Sequence, residues 1–317
     1  MKTLYPDIEP FDYFFLETGS QHKVYVERSG NPEGIPVLFL HGGPCSGTRP
    51  QHRSFFNPEL YHIILFDQRA CGLSLPFGEL EGNTTQNLIA DMERIRQQLN
   101  IEQWLLFSGS WGSTLALLYA QEFTEYVSGI IVRGAFLARQ QDLEWFAKLG
   151  ANRIYPEQWQ VLIDSLPKSA DAEHPMLAVF DTLWGDDEVA VRRVTRGWMQ
   201  WSSQVALGED YDRSRQVESV TQVMVDQVKM ELNYARHHYF VDKNQVLDGC
   251  KALQETPVII IHGRLDFVCP MEAGFKLAEA LPHADFQVLE NSGHLAHGDE
   301  MVAALVNATD TMAEKLQ

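Results

Sequence analysis

Three side chains at distant points of the chain form the set that a hydrolytic serine needs. Ser110 stands in Phe107-Ser108-Gly109-Ser110-Trp111-Gly112-Ser113-Thr114, where a strand-like run meets a tight turn and then a helix-like run. Such a turn strains the backbone at the nucleophile and exposes its hydroxyl. Small residues two before and two after let strand and helix approach closely. Gly112 fills the later position, and Ser108 fills the earlier one, where glycine is usual. A serine hydroxyl needs a base, and the base needs an orienting acid. In sites of this kind the acid and then the base follow the serine along the chain. Asp266 ends His262-Gly263-Arg264-Leu265-Asp266 after the apolar run 258–261, and His294 ends Glu290-Asn291-Ser292-Gly293-His294 after the run 286–289. A lone Asp or His in a loop carries little weight. All three in order, each after an apolar strand, point to nucleophilic catalysis.

Hydrolysis also needs donors aimed at the developing oxyanion. His41-Gly42-Gly43-Pro44 follows the run 37–40, and its glycines let a backbone N–H approach a substrate oxygen with no Cβ in the way. The expected donors are the N–H groups of Gly43 and Trp111.

The elements that must position these residues alternate. Continuous Val/Ile/Leu/Phe runs at 37–40, 63–66, 105–107, 130–132 and 258–261 suggest strands buried on both faces, as in a parallel sheet. Residues 24–28 alternate and stop at Ser29-Gly30-Asn31-Pro32, as a strand and turn should. Leu88, Met92, Ile95 and Leu99 recur at helical spacing behind Asn83-Thr84-Thr85, which can cap them. Residues 114–121 and 301–316 also read as helices. Strand–helix alternation predicts an α/β, doubly wound architecture, with ligands at the carboxyl ends of the strands. From about 137 to 245 the rhythm changes to mostly helical periodicity and holds Trp145, Trp159, Trp184, Trp198 and Trp201, five of the seven tryptophans. The division expected is a core of residues 1–136 and 246–317 with a helical cap at 137–245.

Composition bounds the rest. The 317 residues carry 25 Lys+Arg against 43 Asp+Glu, a net charge of −18. So acidic a chain repels phosphate backbones and anionic lipid, which argues against a nucleic-acid or membrane partner. No leader or spanning run is evident, and Cys45, Cys71, Cys250 and Cys269 show no CxxC spacing. They read as free thiols in a reducing cytoplasm. His237-His238 lacks matching ligands, and no metal or organic cofactor is required by the expected chemistry. Oligomeric state is not legible.

With these motifs in hand, the sequence resembles the proline iminopeptidases, serine peptidases of the α/β-hydrolase fold. The resemblance rests on His41-Gly42-Gly43-Pro44, Asp67-Gln68-Arg69, Asn83-Thr84-Thr85, Gly109-Ser110-Trp111-Gly112-Ser113-Thr114, Val132-Arg133-Gly134, His262-Gly263-Arg264-Leu265-Asp266 with Cys269, and Gly293-His294. It implies Ser110 as nucleophile, Asp266 and His294 as its triad partners, and a helical cap over the site. It also implies aromatic packing of a proline ring by Phe136, Phe146 and Phe240. The chain departs from the family pattern at Cys45 and Ala70, where glycine is usual. Two cap glutamates that the family uses to hold a free amino terminus are replaced by Ser202 and Arg236; Glu231 or Glu209 are candidate substitutes.

Three functions follow as expectations. The first is release of N-terminal proline from short peptides through an acyl-enzyme. The second keeps the machinery and changes the substrate, giving an esterase, amidase or lactonase for a neutral acyl group. The third is a binding protein on the same fold, against which the complete set of three catalytic groups argues.

Overall fold

The computed structural model describes residues 2–171, 174–214 and 219–317. Eight strands form one sheet: β1 (Asp12–Glu17), β2 (Lys23–Gly30), β3 (Ile35–Leu40), β4 (Tyr61–Phe66), β5 (Trp104–Ser110), β6 (Val127–Ala135), β7 (Val258–Gly263) and β8 (Asp285–Leu289). Their order is β1-β2-β4-β3-β5-β6-β7-β8. β1 pairs antiparallel with β2, and β2 with β4; every other pairing is parallel.

Burial explains the apolar runs. All six residues of β4 and all six of β7 are buried. Leu38, Ile64, Leu106 and Ile260 face one apolar layer, built on α1 (Thr85–Gln98) and α2 (Trp111–Glu122). Val37, Ile63, Leu105 and Ile259 face the other, with Phe55, Phe56 and the chain's last helix, Asp299–Leu316. Successive strand residues point to opposite faces, so a sheet covered on both sides needs apolar residues at every position. The Thr84 hydroxyl accepts the Asn87 N–H at the start of α1, as the sequence suggested.

β1 escapes the sequence reading because it is an edge strand with aromatic residues on its open face; Tyr13 is 63% exposed. β2 is apolar on one face, but its Glu27 is buried and pairs with Arg53 through bonds of 2.7 and 3.0 Å.

Between β6 and β7 the chain runs through α3 (Gln140–Glu144), α4 (Ala151–Ile154), α5 (Pro156–Ser165), α6 (Pro175–Leu183), α7 (Glu188–Leu207), α8 (Gln222–Arg236) and α9 (Gln245–Gly249). Leu162, Val194, Trp198, Trp201 and Leu232 centre an apolar cluster of their own, against which Phe267 and Val268 pack from the loop after β7. Four of the five tryptophans expected there, Trp159, Trp184, Trp198 and Trp201, belong to this cluster. The chain closes with α10 (Met271–Ala280) and α11 (Asp299–Leu316). No described helix is long and apolar enough to cross a membrane.

Candidate active site

Ser110 is the last residue of β5 and caps α2, with φ 56° and ψ −129°. Non-glycine residues rarely hold this conformation, and the surrounding packing imposes it. A Cβ at Gly112 would run into the Leu40 carbonyl, and one at Gly109 into the Arg133 guanidinium. Those two glycines let α2 start directly against β3 and β6. On the far side, a Cβ at Gly42 would lie 3.1 Å from the Ser110 Cβ, so glycine eases the close approach of the His41–Pro44 loop.

Three loop ends meet here. The Ser110 hydroxyl donates to His294 Nε2 at 3.1 Å, and His294 Nδ1–H donates to Asp266 Oδ2 at 2.8 Å. The carboxylate at Nδ1 sets the tautomer: that nitrogen carries the proton and Nε2 is free to accept one. Asp266 Oδ1 accepts the N–H groups of Val268 and Cys269 at 3.0 and 2.8 Å. Burial alone would raise the Asp266 carboxyl. The charge of His294 and its hydrogen bond, with His262 and the Cys269 N–H, hold it below the usual carboxylate range. Arg133 donates to the His294 carbonyl and so braces the loop that carries the imidazole. Gly134, with φ 54°, leaves room for this row; a Cβ there would sit 2.9 Å from Asp266 Oδ2.

The Asp67-Gln68-Arg69 motif builds the loop opposite. Asp67 accepts from Thr48 N and Oγ1 through one oxygen and from Leu73 N through the other. Arg69 forms a two-bond ion pair with buried Asp91, at 2.6 and 2.9 Å. Gln68 ties two segments together. Its side chain donates to the His41 carbonyl at 2.8 Å and accepts from Trp111 Nε1 at 2.9 Å, and its N–H donates to His41 Nε2 at 3.0 Å. Burial pushes the His41 pKa down, in keeping with that accepting nitrogen. Gln68 thus joins the Trp111 indole to His41, two residues before Gly43; the sequence reading cited it only within the Asp67-Gln68-Arg69 motif. Ala70 and Cys45, which stand where glycine is usual, have φ of 62° and 76°. The left-handed backbone that glycine favours is kept, with an L side chain in it.

Two chambers meet at Ser110. The inner one, about 470 Å³, is lined by Gly43, Ser110, Trp111, Phe136, Trp198 and Tyr239, and reaches Arg236. The outer one, about 440 Å³, is lined by the 41–47 loop, Ser110, Ser202 and His294. Phe146 and Glu231 line both. Phe240 lines neither. It packs edge-on to Tyr234 and stacks on His237, with centroids at 5.3 and 5.1 Å. Tyr239 takes the place in the aromatic wall, 4.8 Å from Phe136 and 5.3 Å from Trp111 between centroids. The exchange follows from a run of left-handed backbone, with φ 50°, 57° and 52° at His238, Tyr239 and Phe240. Thr85 and Gln86 of α1 fix that run by donating to the Tyr239 and Phe240 carbonyls.

Charge in the cleft differs from the family pattern. Ser202 Oγ donates to the Met199 carbonyl, and the Arg236 guanidinium lies 5.5 Å from the Trp184 ring centre. The carboxyl at the junction belongs to Glu231. Burial pushes its pKa up to about 7, with the Trp198 indole pulling the other way. Glu209 lines neither chamber. Cys269, buried beside Ser110, brings its sulfur within 4.8 Å of the donor atoms of Asp266 and His294. All four cysteines are free thiols.

Residues 35–300 match the family model for the alpha/beta hydrolase fold. A proline iminopeptidase of Arabidopsis thaliana is 38% identical over 317 residues, spanning 98% of this chain and 82% of that protein. The chain belongs to the proline iminopeptidase family. A family member from Xanthomonas citri is 38% identical, covering 99% of this chain and 100% of its own. Among solved structures, the Mycobacterium smegmatis proline iminopeptidase superposes with a TM-score of 0.63 at 15% identity, covering 96% of this chain and 100% of that one. At that identity the superposition speaks for the fold. The family's hydrolase fold is present in full.

Proposed function

We propose that the protein is a serine aminopeptidase that releases N-terminal proline from short peptides. The observation that carries this reading is the Ser110–His294–Asp266 hydrogen-bonded row, which opens at the junction of an aromatic chamber and a polar one. His294 takes the Ser110 proton as Oγ attacks the carbonyl carbon. Asp266 orients the ring and stabilises the imidazolium. The N–H groups of Gly43 and Trp111 hold the oxyanion. His294 then protonates the departing nitrogen, and the same base activates the water that frees the acyl group.

The direction of the substrate follows from the acid. The leaving nitrogen must face His294, which lines the outer chamber and not the inner one. The prolyl group therefore occupies the inner chamber, against Phe136, Phe146, Trp198 and Tyr239. Its nitrogen is one carbon from the scissile carbonyl, so its counter-charge must sit near Ser110. Glu231 meets that condition; Arg236, lining only the inner chamber, has the wrong sign. We divide the chain into a core of residues 1–136 and 246–317 and a cap of residues 137–245. The four free thiols suit a reducing cytoplasm.

Proline arylamide, N-acetylproline arylamide and a short aryl ester, each tested on the wild type and Ser110→Ala, examine this reading. Turnover of the free proline arylamide at least about tenfold above the blocked one, lost in Ser110→Ala, is expected. A preference for the blocked or neutral substrate would replace the aminopeptidase with an esterase or amidase. A Ser110 that takes no fluorophosphonate label, with no turnover of any of the three, would leave only a binding protein.

A further inference from the structure

The outer chamber carries one exposed guanidinium, that of Arg49. Several other arginines are paired with carboxylates: Arg53 with Glu27, Arg69 with Asp91, Arg139 with Asp142 and Glu272, Arg264 with Glu290. Arg133, also in the outer wall, is half-buried and spends a donor on the His294 carbonyl. Arg49 follows the 41–47 loop, is exposed, and lines the outer chamber with Ser110 and His294. Among the described residues no carboxylate pairs with it. The ring beside it adds no charge, because burial, with the charges of His41, Arg49 and Arg133, pushes the His52 pKa down to about 3. The Arg49 N–H donates to that ring's Nδ1 at 3.0 Å, which fixes the root of the Arg49 side chain.

We propose that Arg49 is a specificity-determining residue that binds the free C-terminal carboxylate of the leaving di- or tripeptide remnant. This rests on the aminopeptidase reading and extends it to the far end of the substrate. A guanidinium presents a planar fork of donors matched to a carboxylate. The leaving group lies in the outer chamber because His294 must protonate its nitrogen there. Arg49 shares one cavity of about 440 Å³ with Ser110 and His294, room for a short remnant, so a carboxylate at Arg49 belongs to a short peptide. With a net charge of −18, the surface as a whole repels that carboxylate, and a local cation is what draws it in. Glu231 at the junction and Arg49 in the outer wall then read the two ends of a zwitterion, with Ser110 between them.

The test compares kcat/KM for Pro-Ala-Ala, its C-terminal amide and proline arylamide in the wild type, Arg49→Gln and Arg49→Lys. The free acid is expected to exceed the amide by about tenfold in the wild type. That ratio should fall to near one in Arg49→Gln, recover in part in Arg49→Lys, and shrink with added salt. Proline arylamide cleavage with equal rates for acid and amide would overturn the Arg49 assignment and leave the aminopeptidase standing. A preference that survives Arg49→Gln would overturn it as well. No cleavage of any of the three would overturn both.

Discussion

Gln68 and Trp111 share a hydrogen bond of 2.9 Å that joins the loop after β4 to the first residue of α2. Through its other bonds Gln68 also holds His41, two residues before Gly43. The segments that carry both proposed oxyanion donors are thus linked through Gln68. Gln68→Ala is expected to lower kcat about tenfold or more with little change in KM, because the donors matter most when charge develops. Steady-state kinetics on proline arylamide, beside a thermal melt to exclude unfolding, reads this out. An unchanged kcat would mean that the two segments hold themselves.

Asp266→Asn should leave the fold in place and lower kcat by roughly 10⁴, since an amide can fix the wrong tautomer of His294. The wild-type carboxyl is held below its ordinary range, so it remains ionised at neutral pH and supplies no step near pH 7. Rate measurements of the variant between pH 6 and 9 check this. A loss smaller than tenfold would show that His294 is oriented without Asp266.

Gly134→Ala tests the space beside that row. An added Cβ would sit 2.9 Å from Asp266 Oδ2 and 3.5 Å from His294 Nδ1, on a backbone with φ 54°. A stability loss of about 1–2 kcal/mol from the left-handed conformation is expected. A fall in kcat larger than the fall in folded fraction should accompany it. Parallel chemical denaturation and kinetics separate the two effects.

Glu231 gives the pH signature. Its folded pKa is about 7 against an ordinary 4.5. Between those values the folded protein keeps a proton that the unfolded chain has released. Stability therefore falls as pH rises through that window, by roughly 1–3 kcal/mol, and Glu231→Gln removes the fall. Binding of the prolyl ammonium needs the ionised form. The ratio of kcat/KM for proline arylamide to that for a neutral aryl ester, in which His294 cancels, should rise with pH and level off above about 7. In Glu231→Gln the ratio should be low and flat. A wild-type ratio independent of pH would remove Glu231 from amine binding.

Legibility in the sequence followed locality. Ser110, Asp266 and His294 each announce themselves by a short turn after an apolar strand, and the structure brings all three together. The buried strands β3, β4 and β7 read clearly because each carries an unbroken apolar run, at 37–40, 63–66 and 258–261. β1 did not, since an edge strand with an open face carries no such run. Phe240 was expected in the aromatic wall and Tyr239 is there, because three left-handed residues turn the chain and no pairwise pattern reveals them. Glu231 and Arg236 lie five residues apart on α8, roughly 140° around the helix, so a motif written at one position says nothing about the face that carries the other. Arg49 lies outside every motif; only the cleft makes it conspicuous.

The bonds from Thr85 and Gln86 to the carbonyls of Tyr239 and Phe240 rivet the returning end of the helical excursion to α1. A lid hinged there would have to break both and dislodge an aromatic ring from the wall of the cleft. That end of the excursion is thus tied directly to the core beside the cleft. On the aminopeptidase reading proposed above, the substrates are short peptides of the kind that other hydrolases leave behind.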